Sequence, residues 1–408
     1  MQLYLQFGYG MKTLTIDLAK KWGGVSVILS PRDMSPKQLE VWSKDFAKNG
    51  VSCLFDPQCY CPKSGLKCLL QYSYWNSSFK TYTQKDLSRT DDVLLKIKEY
   101  NQIANTFAYI IPNELFDYDD KWGATWLKTS KCLVNSASAI MSDKPKYMTL
   151  TFPKGFLIQS EDTVEPILQE VLEWDVDGFY IIAEAPEKKY LVDNPMWLSN
   201  VFQICASLKL AGKKIIYGYG NHQMLPLSLI NVDAIASGTW LNVRSFTNRF
   251  IDTDEISQRS TWIYYPAALS EYKLSFMDFA FSNGYLKTME PKKGFYNDSI
   301  MKIFKSNVQP SSTSFNETDA FKHYLICLKH QIEIVCQNSY KETLAINEMI
   351  LNTAEREIER LEKGGVFAQK RSFRDIIDVN RAAISKLDKS QGFGLAMSWG
   401  NPCEKLSK

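Results

Sequence analysis

The sequence contains no stretch of about 18 consecutive apolar residues, which excludes a helix that spans a membrane. It also lacks a strong charge of either sign, because 48 lysines and arginines stand against 45 aspartates and glutamates, for a formal charge of +3. So small a surplus does not by itself indicate a nucleic-acid partner. The first residues lack the parts of a secretory signal and the nine cysteines are an odd number, so we expect a protein of the reducing cytoplasm.

The remaining composition is that of a folded, globular chain. Of the 408 residues, 45% are hydrophobic and 23% are charged, which excludes a disordered tail and a collagen-like repeat. The length predicts two or three domains. Aromatic residues, with 22 Phe, 21 Tyr and 10 Trp, make up 13% of the chain, and their placement becomes important below.

Short apolar runs rich in β-formers alternate with helix-periodic segments over residues 1–250. Parallel strands need crossover helices, and eight strands close a barrel, so this rhythm predicts an α/β fold, a (β/α)8 TIM-type barrel. An open, doubly wound sheet is the alternative. One crossover also has a clear start, with Ser35 as the N-cap and Pro36 in the first turn. The eight predicted strands are residues 2–7, 25–29, 51–55, 107–111, 147–152, 178–183, 214–217 and 233–236.

Two regions depart from this rhythm. Residues 58–90, between the third and fourth strands, form an insertion too long for an ordinary barrel loop. Residues 251–408 follow the barrel and are mostly helix-periodic, above all at 319–364 and 372–389. We therefore predict a mostly helical C-terminal region appended to the barrel.

The active face of such a barrel is formed by the loops at the carboxyl ends of the strands. Asp56 directly follows the third apolar run, and Glu184 directly follows the sixth. Two carboxylates on one rim provide a general base and an electrostatic stabiliser for glycosidic chemistry, whose transition state carries positive charge. A strand-ending turn at Asp56 and a salt bridge of Glu184 with a nearby lysine are the structural alternatives.

The histidines and cysteines do not form a recognisable metal site, and we expect neither a metal nor a cofactor. His222 follows the glycine-containing end of the seventh strand, where a structural role is favoured over catalysis. The first cysteine group has no fourth ligand nearby, and the second set is spaced so that its side chains do not converge on one point of a helix. These two sets are Cys59, Cys61 and Cys68, and His323, Cys327, His330 and Cys336.

The insertion contains aromatic rings interleaved with lysines. Such a pattern suits unpaired nucleic-acid bases, because rings stack on bases while cations hold phosphates. A small hydrophobic core under a long loop explains the rings equally well. The rings are Tyr72, Tyr74, Trp75, Phe79 and Tyr82, and the lysines are Lys80 and Lys85.

Several strand ends resemble the tRNA-guanine transglycosylase superfamily. Residues 177–184, DGFYIIAE, are similar to that family's DGYAIGGL, and residues 216–236 are similar to its seventh strand, following helix and eighth strand. Residues 55–60, FDPQCY, stand where the family has DSGGFQ. The resemblance covers the barrel and implies an N-glycosidic bond as the target.

Three departures from the family pattern accompany this resemblance. Ala236 stands where the family has its covalent aspartate, Ile182 and Ala183 replace the glycines that approach the base, and the family's zinc-binding cysteines are absent. An enzyme that keeps the strand-three carboxylate without the nucleophile lets water attack the sugar. The resemblance therefore implies the DNA-acting branch of the superfamily, which includes antiviral glycosylases that remove modified phage bases.

These observations lead to the hypothesis of a DNA glycosylase that flips a modified base into the barrel mouth and hydrolyses its bond to the sugar. Asp56 activates water or stabilises the developing cation, together with Glu184 as the second carboxylate of the rim. The residues expected to read or stack on the base are Gln58, Tyr60, Asn113, Glu184, Tyr217, Tyr219 and Trp240. The residues expected to hold the DNA strand are Arg32, Trp75, Lys80, Lys85 and Arg244.

Three other functions remain open on the sequence. Base exchange on DNA or tRNA is the nearest, and Ala236 argues against it because it cannot form the covalent intermediate. Hydrolysis of a free polysaccharide is suggested by the pair Asn113 and Glu114, but no glutamate ends the seventh strand, as one large glycosidase clan requires. A nucleic-acid-binding subunit without catalysis is the alternative outside enzymes.

Overall fold

The computed structural model describes residues 1–60, 66–75, 90–186, 190–247 and 260–399. Within these ranges, eight parallel strands form one sheet in the order β3-β2-β1-β8-β7-β6-β5-β4. The first and last strands in sequence are neighbours, as a closed barrel requires and a doubly wound sheet does not allow. The strands are β1 Gln2–Gln6, β2 Val25–Leu29, β3 Val51–Phe55, β4 Tyr109–Ile111, β5 Lys146–Phe152, β6 Gly178–Ala183, β7 Lys214–Tyr217 and β8 Ala234–Ser237.

The barrel is nearly closed at the remaining seam, between β3 and β4. There the Phe107 N–H, just before β4, donates a hydrogen bond of 3.2 Å to the Cys53 carbonyl of β3. The predicted (β/α)8 barrel with a helical C-terminal part is therefore confirmed. The predicted runs at 25–29, 51–55, 178–183 and 214–217 coincide with β2, β3, β6 and β7.

Helices cover the outside of the barrel. Ser35 caps α2 as predicted, because its side chain accepts a hydrogen bond from the Gln38 N–H. Between β7 and β8 the crossover is a 3-10 helix, His222–Ile230, which contains Pro226 and is buried throughout. The helices up to β8 are α1 Lys12–Trp22, α2 Pro36–Lys48, α3 Thr90–Ile103, α4 Trp122–Ile140, α5 Lys154–Leu157, α6 Glu161–Leu172 and α7 Pro195–Leu210.

The C-terminal part begins with an antiparallel hairpin of β9 Trp262–Tyr265 and β10 Ser270–Lys273. The segment 319–364, which the periodicity predicts as one helix-rich run, contains two helices, because Ser339 caps a new one after a break at Cys336. The described helices of this part are α8 Leu274–Ser282, α9 Asp298–Phe304, α10 Glu317–Val335, α11 Tyr340–Lys363 and α12 Ile377–Ser398.

These C-terminal helices pack on the barrel over the 3-10 helix that follows β7. The Asn347 amide of α11 donates a hydrogen bond of 3.0 Å to the Ser228 hydroxyl, and the Asn380 amide of α12 donates one of 3.1 Å to the Gln223 carbonyl. The C-terminal part thus buries the 3-10 helix, which stands where a regular (β/α)8 barrel has an α-helix. The division of the chain at residue 250 stays a prediction.

Successive side chains along each strand point alternately into the barrel and towards the helices, which gives two apolar layers. Side chains that point into the barrel form one cluster, and those that point outward pack against the helices in a larger one. Among the described residues, no helix has both the length and the apolarity to cross a membrane. The inner cluster includes Ile28, Leu54, Ile110, Tyr180, Ile216 and Ala236.

Candidate active site

Asp56 lies at the carboxyl end of β3 with its carboxylate completely buried. Its Oδ1 accepts a hydrogen bond of 3.0 Å from the Gln58 N–H. Its Oδ2 accepts one of 2.5 Å from the Tyr60 hydroxyl and lies 3.2 Å from the Tyr180 hydroxyl. Two phenols and one backbone amide therefore surround the carboxylate, and the single Tyr180 proton is shared between Asp56 Oδ2 and the Gln6 Oε1, which lies 3.1 Å away.

A second layer of hydrogen bonds extends this arrangement. The Tyr60 and Tyr219 hydroxyls are 2.7 Å apart, and the Gln58 side-chain amide donates to the Tyr219 hydroxyl over 3.2 Å. Because the Tyr60 proton is directed at Asp56, Tyr219 donates to Tyr60. The hydrogen bonds thus form a chain. Gln58 donates to Tyr219, Tyr219 donates to Tyr60 and Tyr60 donates to Asp56, and each bond polarises the next.

The backbone at two of these residues adopts a conformation that side chains disfavour. Gln58 has φ 57° and Tyr219 has φ 54°, both in the left-handed region. The side chain of Gln58 is fixed from outside the network, because its Oε1 accepts from the Arg32 N–H at 3.1 Å. The Ser30 hydroxyl also lies 3.1 Å from this oxygen, and it is 2.9 Å from the Asp33 carboxylate. Such conformations persist only where the surroundings hold them, and they concentrate at functional sites.

A glycine beside Tyr219 permits the close packing of the network. A Cβ at Gly218 would lie 2.6 Å from Cε2 of the Tyr180 ring, so no other residue fits there without displacing that ring. Gly218 therefore lets the Tyr180 ring pack closely enough for its hydroxyl to reach Asp56.

Burial raises the pKa of Asp56 from its ordinary value of 3.8 to about 6. Donation from Tyr60, the Gln58 N–H and Tyr180, together with the charge of Arg32, opposes this rise but does not cancel it. A carboxyl group with a pKa close to neutrality can accept or give a proton at physiological pH. Strong perturbation in a barrel mouth marks Asp56 as the candidate acid or base.

Three aromatic rings cover the network. The Tyr60 and Tyr219 ring centroids each lie 5.4 Å from that of Phe246 and 6.3 Å from each other. Asp56 has no exposed surface, so a substrate reaches its carboxylate only when surrounding side chains move.

We expect that replacing Tyr60 with phenylalanine raises the pKa of Asp56 further, by about one unit. The lost bond stabilises the charged carboxylate, and a hydrogen bond to a charged group contributes about 1.5 to 3 kcal/mol. Carbon-13 NMR of labelled aspartate, titrated with pH, measures the shift. Tyr72→Phe is the control, because the Tyr72 hydroxyl is also buried but donates to the Met34 carbonyl. An unchanged Asp56 titration in Tyr60→Phe would contradict the assigned donation.

Four of the predicted site residues, Asp56, Gln58, Tyr60 and Tyr219, come together in this network. Glu184 and Asn113 are engaged elsewhere. One Glu184 oxygen accepts from the Lys154 N–H at 3.1 Å, and the Asn113 amide donates to the Ser130 hydroxyl and the Thr149 carbonyl, both at 2.9 Å.

The other predicted base contacts lie in different layers. Tyr217 belongs to the outer apolar cluster between strands and helices. The Trp240 ring is partly buried and packs on Phe321, with ring centroids 4.8 Å apart. Neither has a hydrogen bond to the Asp56 network among the described residues.

The predicted strand-holding residues are dispersed. The Arg32 charge acts on Asp56, and its Nε lies 3.7 Å from the Asp33 carboxylate. Arg244 is buried, with its guanidinium paired to Glu271 at 3.4 Å. Trp75 packs against the outer cluster, and Lys80 and Lys85 lie outside the described residues.

Two rings of the insertion are part of the outer apolar cluster. Tyr72 and Tyr74 are buried and pack on Phe55 and Tyr100, and the Tyr74 hydroxyl donates to the Pro57 carbonyl at 3.0 Å. For these two rings the packing explanation is correct, and stacking on bases is excluded in this conformation. Phe79 and Tyr82 lie outside the described ranges.

Sequence reasoning did not find Tyr180 or Phe246. Tyr180 lies two positions before the inward-facing Ile182 on β6, so alternation along the strand could have placed it in the barrel. Phe246 follows β8 by nine residues, and no periodic signal connects it with Asp56.

The known structures that resemble this chain are distant from it in sequence. No protein-family model and no curated protein matches the chain. Solved structures that resemble it include an endo-1,4-beta-xylanase from Caldicellulosiruptor owensensis, with 11% identity over 58% of this chain and 84% of that one and a TM-score of 0.33. A fungal beta-1,4-galactanase shares 11% identity over 61% and 94%, with a TM-score of 0.34.

A probable tagatose 6 phosphate kinase from Sinorhizobium meliloti 1021 is similar over 96% of this chain and 99% of that one, with 8% identity and a TM-score of 0.35. At these values the three likenesses carry no argument about reaction or substrate. The barrel and its buried carboxylate therefore have to support any assignment by themselves.

Proposed function

We propose that the protein hydrolyses the N-glycosidic bond of a modified nucleobase in DNA and leaves an abasic site. The observation that carries this proposal is Asp56, a fully buried carboxyl group with a pKa of about 6 at the carboxyl end of a barrel strand. Cleavage of a glycosidic bond develops positive charge on the sugar and needs an activated water. One carboxylate in this position serves both needs.

The reaction assigns a distinct task to each member of the network. Asp56 takes a proton from water, the water oxygen bonds to the anomeric carbon, and the base departs with the bonding electron pair and is protonated by solvent. The donors Tyr60 and Tyr180 fix the orientation of the carboxylate. Tyr60, Tyr219 and Phe246 supply rings on which a flipped base stacks, a contact of about 1 to 3 kcal/mol per base.

The alanine at the position of the family's covalent aspartate supports hydrolysis over base exchange. Ala236 stands where the resembling family has its covalent aspartate, and its side chain belongs to the cluster inside the barrel. An alanine methyl group cannot form a glycosyl-enzyme intermediate, so the sugar is left to water. The resemblance to antiviral glycosylases supplies the further proposal that the substrate is modified phage DNA in the cytoplasm.

The test is abasic-site formation on single- and double-stranded DNA carrying a panel of modified bases. The expected result is base release from at least one modified substrate, none from unmodified DNA, and release that is about 10² to 10⁴ slower with Asp56→Asn. Asp45→Asn is the matched control, because Asp45 pairs with Lys12 on the helical surface of the barrel. Full activity of Asp56→Asn would refute the role of Asp56.

The same assay separates the alternatives. Incorporation of a labelled free base into DNA or tRNA would replace the proposal with base exchange. Binding of every modified substrate without base release would replace it with a non-catalytic binding subunit.

A further inference from the structure

The C-terminal part surrounds a cavity of about 300 Å³ that is separate from the Asp56 network. The hairpin strand β9, the helices α8 to α11 and the segment 288–295 form its walls. Most of the surface is aliphatic or thioether. The side chains that determine this character are Ile263, Met277, Met289, Ile300, Ile334 and Ile350.

The buried polar side chains in the lining are already satisfied by the protein. His323 accepts at Nδ1 from the Asn297 amide and donates from Nε2 to the Tyr264 carbonyl, both at 2.9 Å. Gln331 accepts at 2.9 Å from the Tyr264 hydroxyl and donates at 3.3 Å to the Pro266 carbonyl. The interior therefore favours an apolar occupant, because a polar one would find no free partner among these groups.

The volume fixes the size of that occupant. An apolar cavity of about 150 Å³ holds one benzene molecule, so about 300 Å³ accommodates roughly a dozen carbon atoms. Met277 and Met289 adapt their flexible side chains to the shape of a chain.

The segment that forms one wall of the cavity has a net positive charge. Residues 287–293 include the lining residues Glu290 and Lys292 together with the exposed Lys287 and Lys293, which makes three lysines and one glutamate. We propose that this cavity binds a medium-chain amphiphile, with an apolar tail of about a dozen carbons inside and an anionic head group at Lys292.

The test uses the full chain and displacement of the fluorophore N-phenyl-1-naphthylamine. Dodecanoate is expected to displace the probe, and dodecyltrimethylammonium, with an equal tail and the opposite charge, is expected to need about tenfold higher concentration. Hexanoate, with half the chain, is expected to displace it poorly. Equal potency of the two head groups, or of hexanoate and dodecanoate, would overturn the proposal.

Variants locate the binding. Ile350→Trp fills the cavity and is expected to abolish displacement, whereas Ile346→Trp, one turn earlier on α11 and outside the lining, leaves it intact. Met349→Trp at the half-exposed mouth is the second filling variant should Ile350→Trp not fold. Wild-type binding in both Met349→Trp and Ile350→Trp would place the ligand elsewhere and refute the site.

Discussion

Replacing Glu271 with glutamine is expected to lower the free energy of unfolding by about 3 to 5 kcal/mol. The Glu271 carboxylate is almost fully buried between two arginines, with Oε1 3.4 Å from Arg244 and Oε2 2.7 Å from Arg371. Glutamine has the same shape but no charge, and among the described residues Glu271 is the one carboxylate paired with both guanidinium groups. The buried Arg244 and the partly buried Arg371 then lose their shared negative partner.

Among the described residues, the rings that stack on the two guanidinium groups carry no charge that could replace Glu271. The Arg244 guanidinium lies over the Tyr324 ring at 3.4 Å and that of Arg371 over the Trp262 ring at 4.2 Å, contacts that favour cations but carry no charge. His222 packs among the same aromatic residues, and burial lowers its pKa to about 4, so it is neutral at pH 7.

At acidic pH the wild-type protein is expected to lose the stabilisation that the ionised Glu271 provides. Burial alone would raise the pKa of Glu271, but Arg371 and Arg244 hold it below its ordinary value. Because the folded-state pKa is depressed, the stabilisation is present above the unfolded-state pKa and is lost as the pH falls through the folded-state value. Glu271→Gln should not show this acid-dependent loss.

Urea unfolding followed by tryptophan fluorescence measures the effect. Glu333→Gln is the matched control, because Glu333 is about half-exposed and pairs with Lys329 on the surface of α10, where such a pair contributes at most about 1 kcal/mol. Equal destabilisation by the two substitutions would mean that Glu271 does not hold the cluster together.

The barrel could be predicted because each of its strands is a local pattern. A run such as residues 178–183 is apolar on both faces, as a strand between helices and a barrel core must be, and it ends at a polar residue. Asp56, Gln58 and Tyr60 could be predicted for the same reason, since they directly follow β3 and the carboxyl ends of the strands form one rim.

The residues that could not be predicted make contacts between distant parts of the chain. The partner of Arg244 lies in the hairpin strand β10, and the second arginine lies 100 residues further along. Arg244 was expected to hold DNA because nothing in the sequence around it indicates that an arginine after β8 is buried. Only the packing of the C-terminal part on the barrel turns this side chain inward.

The pH dependence of the free energy of unfolding is expected to show that the buried Asp56 destabilises the folded state once its carboxyl group is ionised. Its pKa is raised by burial to about 6 from 3.8, so the folded state keeps the proton over a range in which the unfolded chain has lost it. The contribution of Asp56 to the free energy of unfolding is therefore fully present below the unfolded-state pKa. It is lost as the pH rises through the folded-state pKa. Two pKa units correspond to about 3 kcal/mol.

Asp56→Asn removes this titratable group. We expect the substitution to lower the activity and to raise the stability. Base release should fall by about 10² to 10⁴, the usual contribution of a general acid or base. Relative to the wild type, the variant should gain about 3 kcal/mol of stability between pH 4 and pH 7. Unfolding by urea at a series of pH values measures this difference without knowledge of the substrate.

A constant difference in stability between Asp56→Asn and the wild type across that range would show that Asp56 has an ordinary pKa. Its candidacy as general base would then lose its physical ground. A difference that grows with pH, together with lost base release, would indicate that the buried carboxylate is retained for its chemistry, because asparagine fits the fold better at neutral pH. The left-handed backbone of Gln58 and Tyr219 would then be a second destabilising feature that holds Asp56 in place.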